Sequence, residues 1–214
     1  MSADVREHPI LFSGPMVQAI LAGRKTQTRR VIKPQPQPQP DGTWEIMTED
    51  AAGKWYRPAG RFGQGPYPLF ECPYGQPGDR LWLRETWAAI SKTEDTSPLA
   101  DCNIEYRADT SDPYPGGWSA DEAKGNPDAP KWQPSIHMPR WASRITLEIT
   151  DVRVQRVNYI TAADIEAEGI ERLEPIHKLG PRFIHLWDSI NAKRGYPWAD
   201  NPWVWALTFR RLQP

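Results

Sequence analysis

The chain has 214 residues, 25% charged and 39% hydrophobic, with 26 basic against 27 acidic side chains and a formal net charge of -1. That length can bury a core, and the balanced charge excludes a general polyanion binder, so any phosphate recognition must come from a local patch. Two cysteines, Cys72 and Cys102, are too few for a disulfide scaffold or a cysteine-rich zinc site, and no hydrophobic run reaches membrane-spanning length.

The opening MSADVREHPI lacks a signal-peptide core, so a cytoplasmic protein, monomeric and without a membrane partner, is the expectation. The 11 tryptophans argue against a disordered chain, and the 23 prolines point to polar loops around a compact core. Ser13 is placed to cap a first helix, with Pro15 in its opening turn, Met16, Ile20 and Leu21 as its apolar face, and Gly23 as its stop. The basic run that follows leaves as an extended segment or turn. KPQPQPQPDG, from Lys33, reads as a solvated polyproline-like spacer, because proline cannot donate to a sheet ladder. A small hairpin is expected around Trp44 and Trp55.

In PGDRLWLRETWAAI, period-two alternation puts Leu81, Leu83, Glu85 and Trp87 on one side of a strand. Residues 91–131 read as loop, with one strand at NIEYRA. In HMPRWASRITLEITDVRVQRV, Ile145, Leu147 and Ile149 are in phase, while Val152 and Val154 are one residue out; a bulge or bend near Asp151 reconciles them. ITAADIEAEGI is a short helix with Thr161 as N-cap, Asp164 at the third helical position, and Gly169 as a left-handed stop that brings Ile170 against Ile165. GPRFIHLWDSINAKRG is a second helix, with Phe183, Trp187 and Ile190 on one face and Gly195 as its stop. NPWVWALTFRRL is apolar on both faces and therefore central in its sheet. Such scattered strands fit an α+β fold, a small mixed barrel with helices at its ends, better than regular βαβ winding.

Candidate chemistry gathers in the basic run, where Arg24, Lys25, Arg29, Arg30 and Lys33 occur with no acid between them. A solvated edge strand that uses charge against aggregation is one reading, and phosphate contact by arginine forks another. A third is chemical: arginines crowding a partly buried Lys25 lower its pKa and make a neutral amine available to activate the Thr28 hydroxyl. Positions three apart point to opposite faces of a straight strand, so this pairing requires a turn or bulge between Lys25 and Thr28. Glu168 is an odd choice at a helix C-terminus, where a carboxylate opposes the helix dipole. Glu85 is the other candidate carboxylate, with Trp87 as a stacking wall. His137 lies among Trp132, Arg140 and Trp141, a cluster able to stack on a base or to pack a core. None of His8, His137, His177 and His185 has a metal-ligand neighbour at short spacing, so neither a metal nor a cofactor is expected.

The stretch ILAGRKTQTRR resembles the signature of the ASCH domain, a branch of the PUA-like superfamily, in which a helix ends at glycine before a G-x-K-x-x-[TE]-x-R segment. Here that segment reads Gly23, Lys25, Thr28 and Arg30. PGDRLWLRETW resembles the family's second block, ITLEITDVRVQRVNYITAADIEAEGI its third, and PWVWALTFRRL its closing strand. The resemblance spans the chain as one domain, 1–214, apart from insertions at about 34–75 and 91–131, and the whole looks like ASCH proteins of phages and prophages. It implies a PUA-like (ASCH) mixed β-barrel and, in the branch similar to N4-acetylcytidine amidohydrolases, a catalytic Lys25, Thr28 and Glu168. Arg29, Arg30, Glu85 and Trp87 are the implied substrate contacts, and the substrate is a modified nucleoside or RNA. The other functional line of the family, RNA binding or RNA cleavage, would use the same basic cleft.

Overall fold

The computed structural model describes residues 5–38, 44–45, 48–49, 55–56, 72–90, 103–126, 128–171 and 179–213. In chain order its elements are β1 (Glu7–Leu11), α1 (Gly14–Leu21), β2 (Gln27–Val31), β3 (Arg80–Arg84), β4 (Trp87–Ile90), β5 (Asn103–Tyr106), α2 (Ala120–Ala123), β6 (Thr146–Arg156), α3 (Ala162–Ala167), α4 (Leu179–Asn191) and β7 (Trp203–Arg211). Two-residue ladders also pair Gln37–Pro38 with Trp44–Glu45 and Thr48–Glu49 with Trp55–Tyr56, where a hairpin was expected. The protein is mixed α+β, and its contacts divide it into two units, neither continuous in sequence. The first comprises Met1–Arg24, Asp79–Glu148 and Arg211–Pro214; the second comprises Lys25–Gly78 and Ile149–Arg210.

In the first unit the strand order is β1-β3-β6, with β1 parallel to β3 and the first residues of β6 antiparallel to it, so the sheet is mixed. Ile10, Leu81, Leu83, Ile145 and Leu147 are fully buried there, each worth about 1.5–3 kcal/mol of burial. Glu85 and Trp87 continue the buried face as the alternation predicts, but pairing breaks at Glu85–Thr86. The chain restarts as β4, which pairs antiparallel with β5, the strand expected at NIEYRA. In α1, the Ser13 carbonyl accepts the first helical N–H groups, although its side chain makes no cap, and Gly23 at φ 73° ends the helix. Its buried face is Val17, Ala19 and Ile20, with Met16 and Leu21 only half-buried. On a two-turn helix the packing partners, not apolar volume alone, choose the face.

In the second unit β7 lies between β6 and β2. Its consecutive Val204, Trp205, Ala206 and Leu207 are all buried, as a central strand requires. Burial along β6 changes phase: Ile149 is buried, Thr150 and Asp151 are both exposed, and Val152 and Val154 are half-buried. Val157, Ile165, Leu179, Phe183, Trp187 and Val204 form the core, and Ile170 packs against it. Ile190, expected on the buried face of α4, is instead 47% exposed, because Phe183 and Trp187 already cover the contact.

Two expectations are corrected. Among the described residues the strands do not close into a barrel; each unit carries three strands of this sheet, too few to curl onto themselves. The Pro-Gln run does not start as a solvated spacer, since Pro36 is buried and Gln35 is pinned at the start of β7. Its amide donates to the carbonyls of Ile32 (2.6 Å) and Trp203 (3.1 Å) and accepts from the Trp203 N–H (2.7 Å).

Candidate active site

The basic run forms β2, which pairs antiparallel with β7, with Thr28 opposite Leu207 and Arg30 opposite Trp205. It is an edge strand by order, but not a solvated one: Lys25, Gln27, Thr28 and Arg29 are all buried. What covers it is the end of α3. Lys25 forms an antiparallel bridge with Glu168, and the Thr26 N–H donates to the Ala167 carbonyl at 2.8 Å.

The end of α3 is fixed locally. The Thr161 side chain accepts from the Asp164 N–H while the Asp164 carboxylate accepts from the Thr161 N–H, a reciprocal capping box. At the other end the Gly169 N–H reaches the Glu166 carbonyl and the Ile170 N–H the Ile165 carbonyl, with Gly169 at φ 87°. That Schellman closure sets the direction in which Glu168 leaves the helix.

Lys25 and Glu168 meet inside this frame. Lys25 Nζ donates to Glu168 Oε2, to the Glu168 carbonyl and to the Gln27 carbonyl, each at 2.8 Å, so all three ammonium protons are used. Two of those acceptors lie at the helix C-terminus, where a cation is favoured. The second Glu168 oxygen, Oε1, accepts from Arg29 Nη1 at 3.1 Å. Arg29 Nη1 also donates to Gln27 Oε1 at 2.6 Å, and Nη2 lies 3.3 Å from Asp164 Oδ2. Burial lowers the Lys25 pKa, the Glu168 carboxylate opposes that effect, and the Arg30 and Arg29 charges add to it. Burial would raise Asp164, but its hydrogen bonds from Thr161 and the nearby Arg29 hold it low. Arg30 is lowered by burial, against the influence of Tyr74 and Glu168.

Lys25 and Arg29 both reach Glu168, and Gln27 joins them by accepting from Arg29. Among the described residues no hydrogen bond joins the Thr28 hydroxyl to Lys25 or Glu168, although Lys25 Nζ reaches the Gln27 carbonyl, part of the peptide joined to Thr28. Glu85 and Trp87 belong to the first unit. Both Glu85 oxygens accept from Arg144, at 3.0 and 3.1 Å, and Arg144 also binds Asp109 and stacks 3.9 Å over the Tyr106 ring. Burial pushes the Glu85 carboxyl up, against Arg144. The Trp87 indole N–H is buried without a partner among the described residues, and its ring meets exposed Trp141 edge-on at 5.9 Å.

Gln27 and Asp164 escaped the sequence reading as site residues. The signals were present: Gln27 shares the phase of Lys25 and Arg29, and Asp164 stands four residues before Glu168, which puts both carboxylates on one face of α3. Among the described residues no group of three or more His, Cys, Asp and Glu side chains is arranged to hold a metal, and no helix is long and apolar enough to cross a membrane. No family model matches the chain, and no curated protein or solved structure is detectably similar to it.

Proposed function

We propose that this protein is an amidohydrolase that removes the acyl group from N4 of an acylated cytosine nucleoside of the N4-acetylcytidine kind, with Lys25 and Glu168 moving the proton. One observation carries the reading: a lysine 3% exposed is held 2.8 Å from the carboxylate of a glutamate 6% exposed, within a segment that resembles the ASCH signature. The same resemblance supports taking the strands and short helices as parts of a PUA-like fold. The amine faces one carboxylate and two carbonyls, and burial with two neighbouring arginines brings its neutral form closer to working pH.

In the form that the resemblance implies, neutral Lys25 takes the Thr28 proton and Thr28 Oγ bonds to the acyl carbon. The C–N4 bond breaks as the proton passes by way of Glu168 to the leaving amine. Water then hydrolyses the acyl-threonine, releasing the carboxylic acid and restoring the hydroxyl. A shorter form, in which Lys25 activates water and no acyl-enzyme forms, needs no Thr28 contact, and among the described residues no hydrogen bond joins Thr28 to Lys25. Incubation with N4-acetylcytidine should yield cytidine, and Lys25→Ala should lose at least a hundredfold in rate, the low end for removing a general base. No turnover, or full turnover by that variant, sinks the reading. Thr28→Ala separates the forms: abolished turnover supports the acyl-threonine, and turnover within tenfold supports direct attack by water.

A further inference from the structure

Arg29 was expected to touch substrate, but its side chain is only 1% exposed and its guanidinium faces inward. It bridges two carboxylates of α3, Glu168 and Asp164, and also donates to Gln27 on its own strand. Asp164 is itself tethered, by the Thr161 N–H at 3.0 Å and hydroxyl at 2.9 Å, with Arg153 Nη2 at 3.5 Å on its other oxygen. Glu168 thus gives one oxygen to each of two cations, Oε2 to Lys25 and Oε1 to Arg29.

We infer that Arg29 is a positioning residue for the Lys25–Glu168 pair, holding the Glu168 carboxylate between two cations so that Lys25 is not its sole partner. The inference rests on the amidohydrolase reading for its purpose, but not for its test. A glutamate that served Lys25 alone would strengthen the ammonium and make its proton harder to release. Sharing that glutamate with an arginine, which stays charged at any working pH, works the other way. Among the described residues the charged groups that bear on Lys25 include Arg29 and Arg30 on β2, Asp164 on α3 and Glu168 at its C-cap, and Arg153 on β6 through Asp164. Asp164 then tunes the pair in the opposite sense, because it neutralises Arg29.

The prediction is therefore a pair of shifts of opposite sign. The Lys25 side chain is titrated by NMR of its 13Cε in the full chain, alongside the pH dependence of N4-acetylcytidine turnover. Arg29→Met should raise the Lys25 midpoint by about one unit, the low end of the effect of a near charge, and carry the rising limb of kcat/KM with it. Asp164→Asn should lower the midpoint. Arg29→Lys should stay near the wild-type midpoint, because the charge remains although the two-carboxylate fork is lost. An unchanged midpoint in Arg29→Met, or shifts of one sign in both charge-removing variants, overturns the inference and leaves Arg29 as packing. Should Arg29→Met fail to fold by circular dichroism, an unmoved midpoint in Asp164→Asn overturns it equally. Opposite shifts without turnover would sink the amidohydrolase reading alone, and turnover without shifts would sink this inference alone.

Discussion

Lys25 carries a cost that has a pH signature. Burial lowers its folded pKa, while the unfolded side chain titrates near 10.4. Between those two points the unfolded chain binds more protons, so stability rises with pH across that window and the penalty is present in full below it. Urea denaturation at several pH values should show that rise in wild type and a flatter profile in Lys25→Met. Cys72 gives a second test: burial pushes its thiol up to about 11, so the thiolate is scarce at neutral pH. In a Cys102→Ser background, iodoacetamide should label Cys72 slowly at neutral pH and much faster as pH approaches its midpoint. Residue types were enough to nominate Lys25 and Glu168, since an uncompensated carboxylate at a helix end and a lysine among arginines each invite a partner. They could not reveal that Arg29 faces inward, because the choice of face belongs to the sheet, and two opposite faces of β2 were equally polar.

At the scale of elements, α3 was the most legible part, as both of its ends are written in side chains that act locally: Thr161 with Asp164, and Gly169 with Ile165 and Ile170. Thr161→Ala should cost about 1 kcal/mol of stability, the usual loss of an N-cap. Gly169→Ala should cost about 1 kcal/mol or more, since alanine resists the left-handed conformation at φ 87°. Because Glu168 immediately precedes Gly169, that substitution should also reduce turnover by more than Thr161→Ala does; equal activity in the two variants would separate the cap from the site. The two phases of β6 were readable for the same local reason. The buried faces of α1 and α4 were not, because Val17 replaces Met16 inside and Ile190 stays out, choices made by neighbours distant in sequence.

At the scale of the whole molecule, charge is balanced and part of the basic complement is already paired. Its net charge is -1, and Lys25, Arg29 and Arg144 are committed to carboxylates. A single-stranded RNA oligonucleotide should bind weakly at physiological salt, and tight binding with a steep salt slope would favour the RNA-binding alternative. Strand content and the α+β class followed from composition and periodicity, whereas the division into two units did not, since it depends on which distant segments pair. One consequence of that pairing concerns handling more than chemistry. The bridge from Lys25 to Glu168 and the bond from Thr26 to Ala167 cover the open side of β2 at its start. An uncovered strand margin is a template for another chain. Glu168→Ala keeps those backbone bonds but loses the carboxylate that ties Lys25 and Arg29 to the covering segment, so it should self-associate with rising concentration by light scattering.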